Sequence, residues 1–334
     1  MPELRKDPLI TRWAIISTER ARRPGNIIDT ANMDVSDAVF NLDQYEGKPI
    51  YELKENGQWQ VKVVPSPELF LSIDKKLERK QQGLYESING YGAHEVVIET
   101  PERIANMADL SEEQIQKVIE TYVRRLEDLK NDPDLEFAFI YKNYSKSSRK
   151  ASAHSLSQIV ATPIVPHHME EKLRSAKLYY DYHERCVFID LIQQELSEKK
   201  RIIAETKHYC AFIPFAPRSP FEILIMPKQQ GSSFDKDVIG TEADLAKILK
   251  EVLSDIKVHL DDPHYSFVIN TAPFSRKITY PGRWKTLDED FCWHIQITPH
   301  LTHLAGFEKG TGFFICPIPP EDAAEFLQKV KKRK

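Results

Sequence analysis

Ala153-His154-Ser155-Leu156-Ser157-Gln158-Ile159 reads as the start of a strand, and it has a counterpart further along, Cys292-Trp293-His294-Ile295-Gln296-Ile297. Residues i and i+2 of a strand share a face. His154, Leu156 and Gln158 are therefore expected to point together, and so are Cys292, His294 and Gln296. The chain before each stretch is punctuated alike. Before the first come His94 to Pro101, a strand ending at proline, and a helix capped by Ser111 with Gln114 three residues on. Its apolar face is Ile115, Val118, Ile119, Tyr122, Leu126 and Leu129. The strand Phe137 to Tyr141 follows, then Asn143. Before the second come Phe221 to Pro227, again ending at proline, and a helix capped by Thr241 with Asp244 at the third position. Its face is Leu245, Ile248, Leu249, Val252 and Ile256. The strand Tyr265 to Ile269 follows, then Asn270. Strand, helix, strand, loop, strand thus occurs twice, an internal repeat.

The repeat predicts an α+β fold of two tandem halves, residues 1–168 and 169–334, each an antiparallel sheet with helices packed on it. Between the copies, the pattern predicts a turn at His167-His168, a helix over 170–182 and strand-like chain over 201–214. Further strands are expected over 9–17 and 59–65, irregular chain over 26–50, and a closing helix over 321–330. Pro319-Pro320 suits the first turn of that helix.

A chain of 334 residues is long for one core and comfortable for two. With 29% charged and 41% hydrophobic residues, it has the composition of a soluble globular protein. A net charge of -4 and no basic stripe argue against a nucleic-acid partner. Lys331 to Lys334 suit a solvated helix end. There is no run of about 18 apolar residues to span a membrane, and Met1 to Asp7 form no apolar signal core. Cys186, Cys210, Cys292 and Cys316 make no Cys-x-x-Cys pair, against a disulfide framework or a cysteine-rich zinc site. A cytoplasmic location is expected.

A His-x-His-x-Gln face suits phosphorus chemistry. The middle imidazole attacks, the first orients it or holds a metal, and the glutamine donates to a phosphate oxygen. In its order of motifs the chain resembles galactose-1-phosphate uridylyltransferase and its relatives in the histidine-triad superfamily. The resemblance runs through Leu4-Arg5-Lys6-Asp7-Pro8 with Arg12-Trp13, Glu19-Arg20-Ala21-Arg22-Arg23-Pro24, Asn89 to Val97, and Lys142-Asn143-Tyr144. It continues through Gln158 to Pro163, Thr271-Ala272-Pro273-Phe274, Trp293-His294-Ile295, and Ala305-Gly306-Phe307-Glu308 with Gly310 to Phe313. It implies two histidine-triad-like halves per subunit, a homodimer, and transfer of a nucleoside monophosphate through a nucleotidyl-histidine. Relatives run the same chemistry as phosphorolysis of a nucleotide-sugar. By position, the resemblance implies that Arg20 and Arg23 face the nucleotide phosphates. It implies that Asn143 and Gln158 bind phosphate oxygens and that the Glu308 loop approaches the sugar.

The departures fall at the chemistry. The family reads Ser-x-x-His-Pro-His-x-Gln; this chain reads Ala151-Ser152-Ala153-His154-Ser155-Leu156-Ser157-Gln158. The phosphate-binding serine is Ala151 and the nucleophile is Leu156. Ser145 and Arg149 replace glycines of the preceding loop. Of the family's zinc ligands only His154 is present, with Arg103 at a histidine position and no early Cys-x-x-Cys. No zinc and no other cofactor is therefore expected. In the second half Cys292-Trp293-His294 replaces a frequent His-Trp-His, and Gln230 and Asn270 stand at other histidine positions. Leucine cannot attack phosphorus. The expected function is binding of a nucleotide or nucleotide-sugar phosphate with covalent transfer impaired. The alternative is an active transferase, phosphorylase or hydrolase that uses His154 or an activated water. His154 would then act from one strand repeat away, about 6.5–7 Å. Plainer readings stay open: a hydrogen-bonded His154, His294 in a buried polar cluster, and Arg20 to Arg23 in a solvated loop.

Overall fold

Tyr144 to Ile140 on one strand pair with Tyr265 to Ile269 on another, and this seam joins the two expected sheets into one. The computed structural model describes residues 2–10, 12–18, 45, 47–67, 70–146, 154–274, 285–303 and 305–331. Arg20 and Arg23 lie outside them, as does most of the expected irregular chain over 26–50. The strands are β1 (Glu3–Lys6), β2 (Trp13–Ile16), β3 (Tyr51–Glu55), β4 (Gln58–Pro65), β5 (Arg79–Gln82), β6 (Tyr85–Ile88), β7 (Ala93–Ile98), β8 (Phe137–Tyr144) and β9 (Leu156–Thr162). They continue with β10 (Ile202–Glu205), β11 (Tyr209–Phe212), β12 (Ile223–Pro227), β13 (Tyr265–Asn270), β14 (His294–Pro299) and β15 (Phe314–Cys316). The helices are α1 (Glu112–Leu129), α2 (His167–His183), α3 (Val187–Glu198), α4 (Phe234–Asp237), α5 (Glu242–His259), α6 (Leu287–Asp290), α7 (Gly306–Thr311) and α8 (Pro320–Lys331).

The large sheet has 10 strands, all paired antiparallel. Its first half runs β3-β4-β7-β9-β8, and the second repeats that order as β10-β11-β12-β14-β13. The repeat read from the sequence is thus a topological one. One face is covered by α1 and α5, whose apolar stripes share a core with Val97, Ile159, Ile225 and Ile295. On the other face the halves differ. In the second half α2 and α3 cover the sheet, packing Leu173 and Phe188 on Phe212, Leu224 and Met226. In the first half a small cluster of Val64, Val96 and Ile98 lies there, with Leu156 half-buried against it.

Ser111 caps α1, its Oγ accepting from the Gln114 N–H at 3.1 Å. The Gln114 side chain does not return to the cap; it donates to the carbonyls of Gln60 and Glu99 and ties the helix to the sheet. Ser111→Ala should cost about 1 kcal/mol, read by urea unfolding. Thr241 makes no such cap bond. Its hydroxyl bonds the Val238 carbonyl and the Tyr209 hydroxyl, while Asp244 accepts from the His208 N–H.

Three local expectations are corrected. Residues 9–17 are not one strand. Asp7 accepts the Leu9 N–H at 2.9 Å, making a turn between β1 and β2, as a short acidic side chain readily does. His167 and His168 lie inside the first turn of α2, after Pro166. A second helix, α3, follows α2; both end on residues with positive φ, Glu184 (54°) and Lys199 (55°), where no glycine marks the stop.

Candidate functional site

On β9, Gln158 sits opposite Val96 and Leu156 opposite Ile98. Gln158 Oε1 accepts from two sides, from His94 Nε2 on β7 and from the Tyr141 hydroxyl on β8, each at 2.7 Å. With both acceptor directions used, the oxygen is fixed and the amide group is turned the other way. Its two N–H donors meet no partner among the described residues. The Phe70 ring lies tilted 4.2 Å from the His94 ring. Gln158 is therefore an oriented donor, suited to a phosphate oxygen. Two positions along the same strand, Leu156 presents only methyl groups to this face.

His154 precedes the strand instead of extending it. It is buried, with Nδ1 3.2 Å from the Thr100 carbonyl. Asn143 is exposed on β8, opposite Ser266. Glu308 is buried, and its carboxylate accepts the Ala305 N–H at 3.1 Å, closing the start of α7. Among the described residues no three His, Cys, Asp or Glu side chains gather around a point, so no ligand set for the family's zinc is assembled there.

Behind Leu156 lies a buried polar network that the sequence does not announce. Lys142 Nζ donates to Glu99 Oε2 (2.8 Å), Ser155 Oγ (2.8 Å) and the Leu156 carbonyl (2.7 Å). Ser155 also donates to Glu99, and the Tyr122 hydroxyl bonds Glu99 and Ser157. The side chains of Lys142 and Glu99 are 1% and 0% exposed, so this ion pair has no solvent to replace either partner. Burial lowers the Lys142 ammonium below its ordinary pKa while Glu99 opposes the shift.

In the second half the equivalent positions carry other chemistry. His294 stands where Leu156 does and Glu222 where His94 does, while Asn270 matches Asn143. His294 is fully buried, and burial followed by the Lys172 charge pushes its pKa well below the usual value. Its Nδ1 faces the Cys292 carbonyl at 3.0 Å and its Nε2 faces Lys172 Nζ at 3.0 Å. The partners assign the proton to Nδ1, leaving Nε2 to accept from the lysine. Lys172 also donates to Asn270 Oδ1 at 2.8 Å. Gln296 donates one amide N–H to Glu222, where the Gln158 amide has no partner among the described residues.

Burial first, then Arg218 and Arg12, lower Lys172 to about 7; Asp7 and Glu222 oppose them. An unfolded lysine near 10.4 binds this proton more tightly than the folded one. Stability should therefore rise with pH between about 7 and 10, by up to roughly 1.4 kcal/mol per unit. Chemical unfolding at several pH values checks this, and Lys172→Met should flatten the slope.

Residues 69–166 match the family described as galactose-1-phosphate uridyl transferase, N-terminal domain, and residues 171–306 match its C-terminal domain. The chain is 30% identical to an ADP-glucose phosphorylase of Arabidopsis thaliana, over 98% of this chain and 93% of that one. It is 27% identical to a galactose-1-phosphate uridylyltransferase of Thermotoga maritima, over 99% of each. A crystal structure of the Arabidopsis ADP-glucose phosphorylase with bound ADP-glucose superposes with a TM-score of 0.80 at 29% identity, covering 98% of both chains.

Proposed function

The chain belongs to the galactose-1-phosphate uridylyltransferase family, and within it we propose a protein that binds a nucleotide or nucleotide-sugar phosphate without forming a covalent nucleotidyl intermediate. The ligand phosphate lies on the open face of the first half, residues 1–168, and accepts from the Gln158 amide, with Asn143 beside it. The second half, residues 169–334, supports that sheet across the β8–β13 seam. The observation that carries the reading is the contrast within one strand. Gln158 keeps two orienting partners, while Leu156 puts hydrocarbon where a nucleophile would attack. His154 does not replace it, because it is buried and lies before the start of β9, away from the position that Leu156 holds. A homodimer in a reducing, cytoplasmic setting completes the proposal. Four free, buried cysteines support the setting, and no described helix is long and apolar enough to cross a membrane.

A nucleotide-sugar bound to a similar chain in the Arabidopsis structure gives the first ligand to try. Millimolar ADP-glucose or UDP-glucose should raise the melting temperature, by the equivalent of about 2.7 kcal/mol when the ligand is at 100 times Kd. Gln158→Leu should weaken binding roughly 10- to 100-fold, the loss of a hydrogen bond to a charged group. No shift with any nucleotide or nucleotide-sugar removes the binding reading. Release of sugar phosphate during the titration would instead favour a phosphorylase or hydrolase.

A further inference from the structure

The second half holds a cavity of about 30 Å³ between the N-terminal turn, α2, the chain leading into β12, and β14. It is large enough for a small ion and too small for a nucleoside. Its charged lining is Arg12, Lys172 and Arg218 against Asp7 and Glu222, three cations facing two carboxylates. Arg12 gives one terminal nitrogen to Asp7 at 2.9 Å. Its Nε and Nη1 are buried with no acceptor among the described residues. Arg218 gives its Nε and its backbone N–H to Glu222, at 3.0 and 2.5 Å. Lys172 has given two of its three protons, to Asn270 and His294.

Buried guanidinium donors without acceptors are rare in folded proteins and call for a missing partner. An anionic partner suits the lining at pH 7 and below, where a protonated Lys172 adds a third positive charge to Arg12 and Arg218 against Asp7 and Glu222. We infer that this cavity binds a small oxyanion of the phosphate type, held by Arg12, Arg218 and Lys172. Guanidinium groups suit such oxygens by geometry as well as charge. The anion accepts from the open Arg12 donors and balances the third cation. Arg218 and Arg12 add to burial, the larger cause, in lowering the pKa of Lys172. A free ion and the phosphoryl group of a small ester share this chemistry. The site stands apart from the first-half face and does not rest on the function proposed for it.

The test is thermal unfolding of the full chain in inorganic phosphate against chloride at matched ionic strength. The midpoint should rise with phosphate in the wild type and still rise in Gln158→Leu, which removes any contribution from the first-half face. Arg12→Met should weaken phosphate at least tenfold. A wild type that ignores phosphate overturns the inference, as does a shift that survives Arg12→Met or vanishes in Gln158→Leu. Should Arg12→Met fail to fold, Arg12→Lys keeps the charge without the planar donors and should show the same weakening. Crystals grown with selenate at tens of millimolar give an independent reading. An anomalous peak beside Arg12 supports the site, and its absence refutes it. Competition by glucose 1-phosphate in Gln158→Leu would assign the ester as an occupant; no competition alongside a phosphate shift assigns the free ion.

Discussion

Lys142→Met is expected to destabilise the fold by about 3–5 kcal/mol, because it leaves the Glu99 carboxylate buried without its cation. Lys142 makes three donations at 2.7–2.8 Å, to Glu99, Ser155 and the Leu156 carbonyl, and methionine replaces none of them. The Tyr122 and Ser155 hydroxyls remain on Glu99, but neither carries charge. For a chain of this size the melting temperature should fall by roughly 5–10 °C. Adding Glu99→Met should recover much of the loss, since removing both charges also removes the desolvated carboxylate. Urea unfolding of the single and double variants reads this directly. A single variant within about 1 kcal/mol of wild type would mean that solvent reaches the pair. The same network fixes the start of β9 through the Leu156 carbonyl, so it sets the position of Leu156 and Gln158 on the face away from α1.

Leu156→His is expected to gain covalent nucleotidyl transfer. Losing the nucleophile in a covalent system costs on the order of 10⁶-fold in rate. Restoring an imidazole returns only part of this, because Ala151 stands where the family has a phosphate-binding serine. One missing donor to a developing charge costs about 10²–10³-fold. The expected gain in protein labelling by a nucleotide-sugar is therefore roughly 10³–10⁴-fold over wild type. The histidine enters between Val96, Ile98 and the amide of Gln158, so the substitution also carries a folding cost of about 1–3 kcal/mol. Leu156→Ala serves as the control. It opens the same space without a nucleophile and should show no labelling. A labelled Leu156→Ala would place the reaction at another residue.

Much of the fold is legible because local signals agree with it. Ser111 starts α1 where the pattern places it, and all six residues of its predicted apolar face are buried. The two matched blocks of strand and helix give the repeat in order. The joining of the halves is less legible, since nothing in the alternation of β8 or β13 tells an edge strand from a central one. The buried charges are harder still. Lys142 meets Glu99 across 43 residues, and Lys172 meets His294 across 122. On the page both lysines read as polar residues of ordinary strands and helices. Leu156 was visible as a departure, but His94 was not visible as the residue that orients Gln158. Its role depends on the diagonal between β7 and β9, which pairing reveals and spacing does not.

The most direct test of a binding site without a nucleophile is covalent labelling of the wild-type chain. The protein is incubated with a nucleotide-sugar radiolabelled in the nucleotide α-phosphate, under conditions where thermal stabilisation shows the ligand is bound. It is then denatured and freed of small molecules. No label should remain on the polypeptide. Label that survives denaturation, in proportion to protein, would show that a residue other than Leu156 carries the nucleotidyl group and would contradict the account.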